Sequence, residues 1–401
     1  MCHPSRVSST PEPPTGPAAP PVVGMIGGGQ LARMTHQAAI ALGVPLRILA
    51  ASPTDSAAQV SPHVSIGDPF TPDDLIGFAR GCQVLTVDHE LVDLDTLEQL
   101  SAGGVATRPA ASALVFATDK AHQRRRFTAA GLPLPRHVVT DDPVAVRAAG
   151  ADLGWPVVVK AARGGYDGRG VWVCDDPRAL DLLEGELGTG GSFPEVVVEE
   201  HLDLEAELAV IVATSPDGSA VAYPVTETIQ VDGICRETIV PARVRASVAE
   251  EATRVALAAA EVVGAVGLVA VELFVADGRV SINEVATRPH NSGHWTIEGS
   301  RTSQFANHLR AVAGLPLGDT STVAPAVVCA NVLGHADGRD PLRHLARALA
   351  VPGASVHLYG KGPRPGRKLG HVTVLADSVE EARARAHSAV AALGDPVPPR
   401  P

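Results

Sequence analysis

Two strand-like segments carry carboxylates among apolar residues. Val269–Val275 contains Glu272, Val280–Val285 contains Asn283 and Glu284, and Ala276-Asp277-Gly278 joins them. Two carboxylates about 4 Å apart at an effective dielectric near 20 repel by roughly 4 kcal/mol, and a divalent cation removes that repulsion. An all-oxygen set of Glu272 and Glu284, with Asn283 beside them, suits magnesium, which keeps waters and phosphates as its other ligands. The competing reading is a solvated strand face, or acids paired with arginines. Turn type separates the two faces. A two-residue Asp-Gly turn pairs Glu272 with Asn283 and sends Glu284 to the other face, whereas a three-residue turn with a left-handed Gly278 places both acids on one face. The three-residue turn is expected here.

A glycine-rich stretch, Gly164-Gly165-Tyr166-Asp167-Gly168-Arg169-Gly170, follows a strand that ends near Lys160, and Lys120 lies upstream. Glycines let backbone N–H groups approach phosphates closely, and the two lysines would complete a triphosphate site. No GxxxxGK[ST] pattern occurs, so this is not a P-loop. An ordinary hairpin loop with Arg169 exposed is the plain alternative. Glu199-Glu200-His201-Leu202 closes another strand and could offer backbone groups and a carboxylate to adenine and ribose, or simply face water. Gly27-Gly28-Gly29-Gln30-Leu31-Ala32 meets the loose dinucleotide pattern. The strand that should end in a ribose-binding acid instead reads Leu49-Ala50-Ala51-Ser52, which argues against a dinucleotide. A smaller phosphate ligand at the helix N-terminus, or a turn chosen for packing, remains.

These groups need a scaffold. Val22–Ile26, the Gly27 turn, a helix through Arg33 and Ala38–Ala41, and strands Leu46–Ala50 and Val84–Val87 read as a parallel α/β domain spanning residues 22–112. Residues 113–311 alternate strands and helices: a helix with Lys120 and Arg124–Arg126, strands at Val157–Lys160, Val171–Cys174, Val196–Glu200 and Glu205–Val212, a helix at Ala252–Val263, then the acidic hairpin. Residues 312–401 read as a small β-rich domain with strands at Val327–Val332, Ala354–Leu358 and Gly370–Leu375 and a final helix Val379–Leu393. Residues 1–21, rich in proline, read as a disordered tail.

The chain has 401 residues, 45% hydrophobic and 19% charged, with a net charge of −11. That size calls for two or three domains. The acidic balance argues against a nucleic-acid surface. Five scattered cysteines without a CxxC pair argue against a disulfide framework or zinc site and fit a reducing cytoplasm. No apolar core follows Met1, so no secretory leader is expected, and no apolar run is long enough for a membrane span.

Taken in order, these pieces resemble the N5-carboxyaminoimidazole ribonucleotide synthetases, ATP-grasp enzymes of microbial purine synthesis. The resemblance rests on Gly27–Leu31, Asp119-Lys120, the GGYDGRG loop at Gly164–Gly170, Tyr223-Pro224 and Asn283-Glu284. It rests further on Arg288-Pro289-His290-Asn291-Ser292-Gly293-His294-Trp295-Thr296, Ser303-Gln304-Phe305, Gly314–Gly318, His357–Lys361 and Arg367–His371. It runs from about residue 22 to 376. It implies a three-domain ATP-grasp fold, usually a homodimer, using ATP and Mg²⁺ with 5-aminoimidazole ribonucleotide and bicarbonate as substrates, by way of carboxyphosphate. Carried over by position, Lys120, Lys160, the Gly164–Gly170 loop, Glu199–Leu202, Glu207, Gln230, Asn283 and Glu284 would meet the nucleotide. Glu272 and Glu284 would hold magnesium. Gln30, Leu31, Glu90, Lys361, Arg367 and Lys368 would meet the ribonucleotide. Arg288, His290 and Asn291, with Tyr166, Asp167 and Arg169, would surround bicarbonate and the reacting amine, with Asp167 and His290 orienting that amine or moving its proton. Two departures stand out: Asp88-His89-Glu90-Leu91 where relatives read Glu-Phe-Glu-Asn or Glu-Phe-Glu-His, and Gln230 where they commonly carry histidine. They motivate one alternative, a catalytically silent nucleotide-binding homologue.

Overall fold

Val23–Ile26 is buried at all four positions because strands flank it on both sides and helices cover both its faces. It is the centre of a parallel five-stranded sheet ordered Val64–Ile66, Leu46–Ala50, Val23–Ile26, Val84–Val87, Ala106–Thr107. All-parallel strands buried on both faces read as continuous apolar runs. Helix Gln30–Leu42 follows the Gly27 turn and ends at Gly43, whose φ of 65° suits glycine. The computed structural model describes residues 19–164, 170–187 and 193–394. Most of the proline-rich N-terminal segment and five residues of the glycine-rich loop lie outside them.

A second, antiparallel sheet has the order His137–Thr140, Val196–Glu200, Val157–Ala161, Val171–Cys174. Its apolar face packs on helices Pro143–Leu153 and Pro177–Leu187 through Val157, Val159, Val196, Val198, Val146 and Leu180.

The third sheet has nine strands. Its path runs Arg279–Ala286, Gly267–Ala276, Ala206–Thr214, Thr226–Val231, Ile234–Val240, Ala326–Leu333, Lys368–Ala376, Ala354–Leu358, with Ala220–Ala222 beside Ala206–Thr214. Helix Ala246–Val263 covers one face with Val248, Ala252, Val255, Ala256 and Ala259 buried against Val269, Val271 and Leu273. This helix begins six residues before the apolar spacing suggested. The strands expected to form a separate C-terminal unit continue this sheet: Glu237–Val240 pairs with Val327–Ala330. Helix Val379–Ala392 covers that end.

Helix Gln304–Val312 ties the sheets together. Leu309 and Val312 pack into the core of the five-stranded sheet, and His308 Nε2 lies 2.9 Å from Thr86 Oγ1. Among the described residues no helix is long and apolar enough to cross a membrane.

Candidate active site

The acidic hairpin folds differently from the expected turn. Ala276 pairs with Arg279 across a two-residue turn, and Asp277 and Gly278 both have positive φ, 50° and 66°. Such a turn alone would have set Glu272 opposite Asn283. Instead the register shifts after Glu272, Leu273 pairs with Ile282, and Glu272 pairs with Glu284. Asn283 is therefore the extra residue of a β-bulge, and the bulge brings both acids opposite each other. The outcome expected from the sequence holds, but its cause lies in the strand rather than the turn.

Lys120 and Lys160 reach the hairpin from two elements. Lys120 opens helix Lys120–Ala129, whose N-cap Asp119 accepts the His122 N–H, and its Nζ lies 2.6 Å from Glu284 Oε2. Lys160, on the small sheet, donates to Asn283 Oδ1 at 2.9 Å and lies 2.7 Å from Glu199 Oε2. The Asn283 amide in turn lies 3.4 Å from Glu272 Oε2. Burial pushes the Lys160 ammonium down, and Glu199 opposes that. Burial, then the charge of Glu284, push the Glu272 carboxyl up, whereas Glu284 is held low because Lys120, with Lys160 and Arg124, together outweigh its burial. A pair of oxygen donors in which one anion destabilises the other fits a divalent cation. Among the described residues no group of three acids, histidines or cysteines is placed to hold a metal. Magnesium does not need one, because phosphates and waters complete its shell.

The segment after the hairpin forms the far wall. Arg288 Nε donates to Glu90 Oε2 at 2.8 Å, and the Thr287 N–H donates to Glu90 Oε1 at 3.2 Å. Glu90 follows strand Val84–Val87, so this contact latches the five-stranded sheet to the hairpin. His290 Nδ1 lies 2.9 Å from Ser292 Oγ and 3.4 Å from the Ser292 N, and its Nε2 faces Glu272 Oε1 at 3.4 Å. Burial, with Arg288 and Lys368 nearby, pushes the imidazole down to about 3. His290 is thus a neutral ring facing Glu272.

A cleft of about 770 Å³ lies between the small and large sheets. Its walls include Lys120, Lys160, Gly164, Glu199, Glu200, His201, Leu202, Glu207, Gln230, Glu272, Asn283, Glu284, Arg288, His290 and Asn291, with Glu90 and Lys368 at one end. Gly165, Tyr166, Asp167, Gly168 and Arg169 lie outside the described residues, and Gly170 is not a wall residue. Gln30, Lys361 and Arg367 gather elsewhere. Lys361 donates to Gln30 where the loop after Tyr359 docks on the five-stranded sheet, and Arg367 Nη1 donates to Gly362 O at 3.0 Å. Leu31 is buried against Met34, Phe305 and Tyr359, so its side chain faces the core. The N-terminus of helix Gln30–Leu42 is already served by a carboxylate: Asp88 accepts from Gly29 N–H at 2.5 Å and Ala32 N–H at 3.0 Å. Glu199 is internal as well. Arg124 Nε and Lys160 Nζ engage both its oxygens, and although burial would raise it, they hold it at about 2.

Two contributors carried no role in the sequence reading. Arg124, 1% exposed, binds Glu199, Gln123 Oε1 and the Asn283 carbonyl, so it braces both the small sheet and the bulge. Gln304, fully buried, holds the His290 peptide.

Three family descriptions match along the chain: a ribonucleotide synthetase preATP-grasp domain at residues 21–118, an ATP-grasp domain at 125–305, and a phosphoribosylaminoimidazole carboxylase C-terminal domain at 327–385. The chain is 48% identical over 377 residues to the N5-carboxyaminoimidazole ribonucleotide synthase of Mycobacterium tuberculosis, covering 92% of this chain and 87% of that one. To the Corynebacterium ammoniagenes synthase it is 41% identical over 372 residues, covering 90% and 89%. The fold is similar to the crystal structure of the Aspergillus clavatus synthase with ADP and 5-aminoimidazole ribonucleotide, with a TM-score of 0.83 at 31% identity over 94% of this chain and 99% of that one. For the Thermotoga maritima synthetase the TM-score is 0.80 at 33% identity, over 91% and 96%. With the opposed acids, the paired lysines and the Arg288–Trp295 wall on one cleft, the chain belongs to the N5-carboxyaminoimidazole ribonucleotide synthetase family of ATP-grasp ligases.

Proposed function

We propose that this cleft carboxylates 5-aminoimidazole ribonucleotide with bicarbonate, consuming ATP and giving N5-carboxyaminoimidazole ribonucleotide, ADP and phosphate. The observation that carries the reading is the placement of Glu272. It faces Glu284 and the lysines on one side and His290 of the Arg288–Trp295 wall on the other. A phosphate held at the acids would therefore lie beside groups suited to a small carboxyl donor.

Nucleotide would lie between the sheets. Lys120 and Lys160 would neutralise its phosphates, and Glu200–Leu202, Glu207 and Gln230 would surround adenine and ribose. The role of Glu199 is to hold Lys160 in place. Glu272 and Glu284 would hold magnesium, which when bound neutralises phosphate charge and replaces the repulsion between the two acids. A bicarbonate oxygen attacks the γ-phosphorus, the bond to ADP breaks, and carboxyphosphate forms. The amine then bonds to the carboxyl carbon, directly or after release of CO₂. The C–O bond to phosphate breaks and the amine loses one proton. Positioning and charge stabilisation dominate such a transfer. Arg288, oriented by Glu90, would meet the anion, and Asn291 would add an amide whose buried Nδ2 has no hydrogen-bond partner among the described residues. Lys368 and Glu90 would mark the ribonucleotide end, with Gln30, Lys361 and Arg367 as further contacts and Leu31 contributing backbone only. Tyr166, Asp167 and Arg169 would belong to the covering loop. The homodimer and a cytoplasmic setting implied by the resemblance form part of the same proposal.

The test is ADP release measured with ATP and magnesium alone, with each remaining substrate singly, and with both. Release that rises only when the ribonucleotide and bicarbonate are both present supports the reading. Release indifferent to the ribonucleotide contradicts it.

A further inference from the structure

Gln304 opens the helix Gln304–Val312 and is fully buried. Its side-chain amide makes two hydrogen bonds to His290, and its Nε2 also lies 3.5 Å from His294 Nδ1. Oε1 accepts the His290 N–H at 2.9 Å, and Nε2 donates to His290 O at 2.7 Å. An amide bonded to both polar groups of one residue fixes that residue's position and its rotation about the chain. A buried glutamine serving only the core needs partners of any kind; here the two shorter contacts belong to the residue whose ring faces Glu272 at 3.4 Å.

The amide is itself held. The Gln304 N–H donates to Thr296 Oγ1 at 2.9 Å, and Thr296 Oγ1 donates to Gly293 O at 2.6 Å, closing the turn after His290. Farther along the helix, Asn307 Nδ2 donates to Tyr223 OH at 2.8 Å, and Leu309 and Val312 sit in the core of the five-stranded sheet. There is little room for another arrangement: a Cβ added to Gly293 would lie 2.7 Å from Gln304 Cδ and Oε1.

We propose that Gln304 is a positioning residue for the carboxylation: it does not touch substrate, but sets the His290 ring against Glu272 and the carboxyl donor. This rests on the role given to His290 above. Groups held by a rigid second layer lose much of their effect when displaced by an ångström. Nucleotide binding, which depends on Lys120 and Lys160, is separate from this brace.

The test is a double-mutant cycle. Gln304→Met keeps volume and removes both hydrogen bonds. It is expected to lower kcat by about 30-fold with the KM for ATP within about twofold of wild type. In a His290→Ala background the same change is expected to cost less than about threefold, because the residue it positions no longer carries its ring. Gln304→Glu, which keeps shape and the acceptor but loses the donor when ionised, should show the same split to a smaller extent and serves if Gln304→Met does not fold. Equal losses in both backgrounds, or a raised KM for ATP at unchanged kcat, would overturn the proposal while the wild type remains active. A wild type without ribonucleotide-dependent ADP release would instead overturn the functional reading beneath it.

Discussion

Glu272 stands opposite Glu284 because Asn283 is bulged out of the strand between Ile282 and Glu284. One inserted residue converts alternating strand faces into a single acidic face and aims the Asn283 side chain at Lys160. Glu284→Gln keeps the shape and removes the charge. It is expected to lower turnover by about 100-fold or more, about 2.7 kcal/mol of barrier. Steady-state ADP release at saturating ATP and magnesium checks this, and near-wild-type turnover would remove Glu284 from the metal role.

Much of the fold was legible. Leu46–Ala50, Val84–Val87, Val171–Cys174, Val196–Glu200 and Ala354–Leu358 appear where apolar runs bounded by turn residues place them. The bulge is not legible, because a polar residue within a strand reads as one more outward-facing position, and the sequence alone points to the turn as the cause of the two acids' facing. Arg124 carries no signal in the sequence because Lys120–Ala129 has no apolar stripe, and no local pattern separates the buried arginine from its exposed neighbours Arg125 and Arg126. Gln304 carries no local signal either: its partner lies 14 residues away around a turn, and only the folded chain shows that its two shortest side-chain bonds go to His290.

Arg124→Met tests the brace behind the lysines. Arg124 and Glu199 are 1% and 2% exposed at the side chain. Removing one member of a buried ion pair leaves the other uncompensated and typically costs about 3–5 kcal/mol. Lys160 still meets Glu199, so the lower end is expected. Urea unfolding monitored by circular dichroism measures it, and a loss under about 1 kcal/mol would show that the pair contributes little.

Glu90→Gln addresses the latch between sheets. The amide can still accept from Arg288 Nε, but the charge pairing is lost. Turnover is expected to fall by about tenfold with KM for bicarbonate raised and KM for ATP unchanged. Initial rates at varied bicarbonate decide it; a change confined to ATP would place Glu90 elsewhere in the mechanism.

Acid should destabilise the protein in two stages. His308, fully buried against Thr86, is pushed down to about 3 by burial, and His294 and His371 are lowered by the same cause. A group lowered on folding binds more protons when unfolded, so its stabilisation is whole above the unfolded value of 6.5 and declines as pH falls toward 3. Each such histidine costs up to about 1.4 kcal/mol per pH unit in that range. Glu199, held at about 2 against an ordinary 4.5, adds a second loss between those values. Urea midpoints measured from pH 7.5 to 4 should fall steadily below pH 6.5, and a flat profile would contradict the neutral buried histidines.

In the proposed reaction a bicarbonate oxygen reaches the γ-phosphate in the cleft lined by Lys120, Lys160 and the Arg288–Asn291 wall. Turnover with bicarbonate labelled at oxygen with ¹⁸O, followed by mass analysis of the released phosphate, tests this most directly. One labelled oxygen is expected in phosphate for each turnover that depends on 5-aminoimidazole ribonucleotide. Ribonucleotide-dependent release of wholly unlabelled phosphate would contradict it.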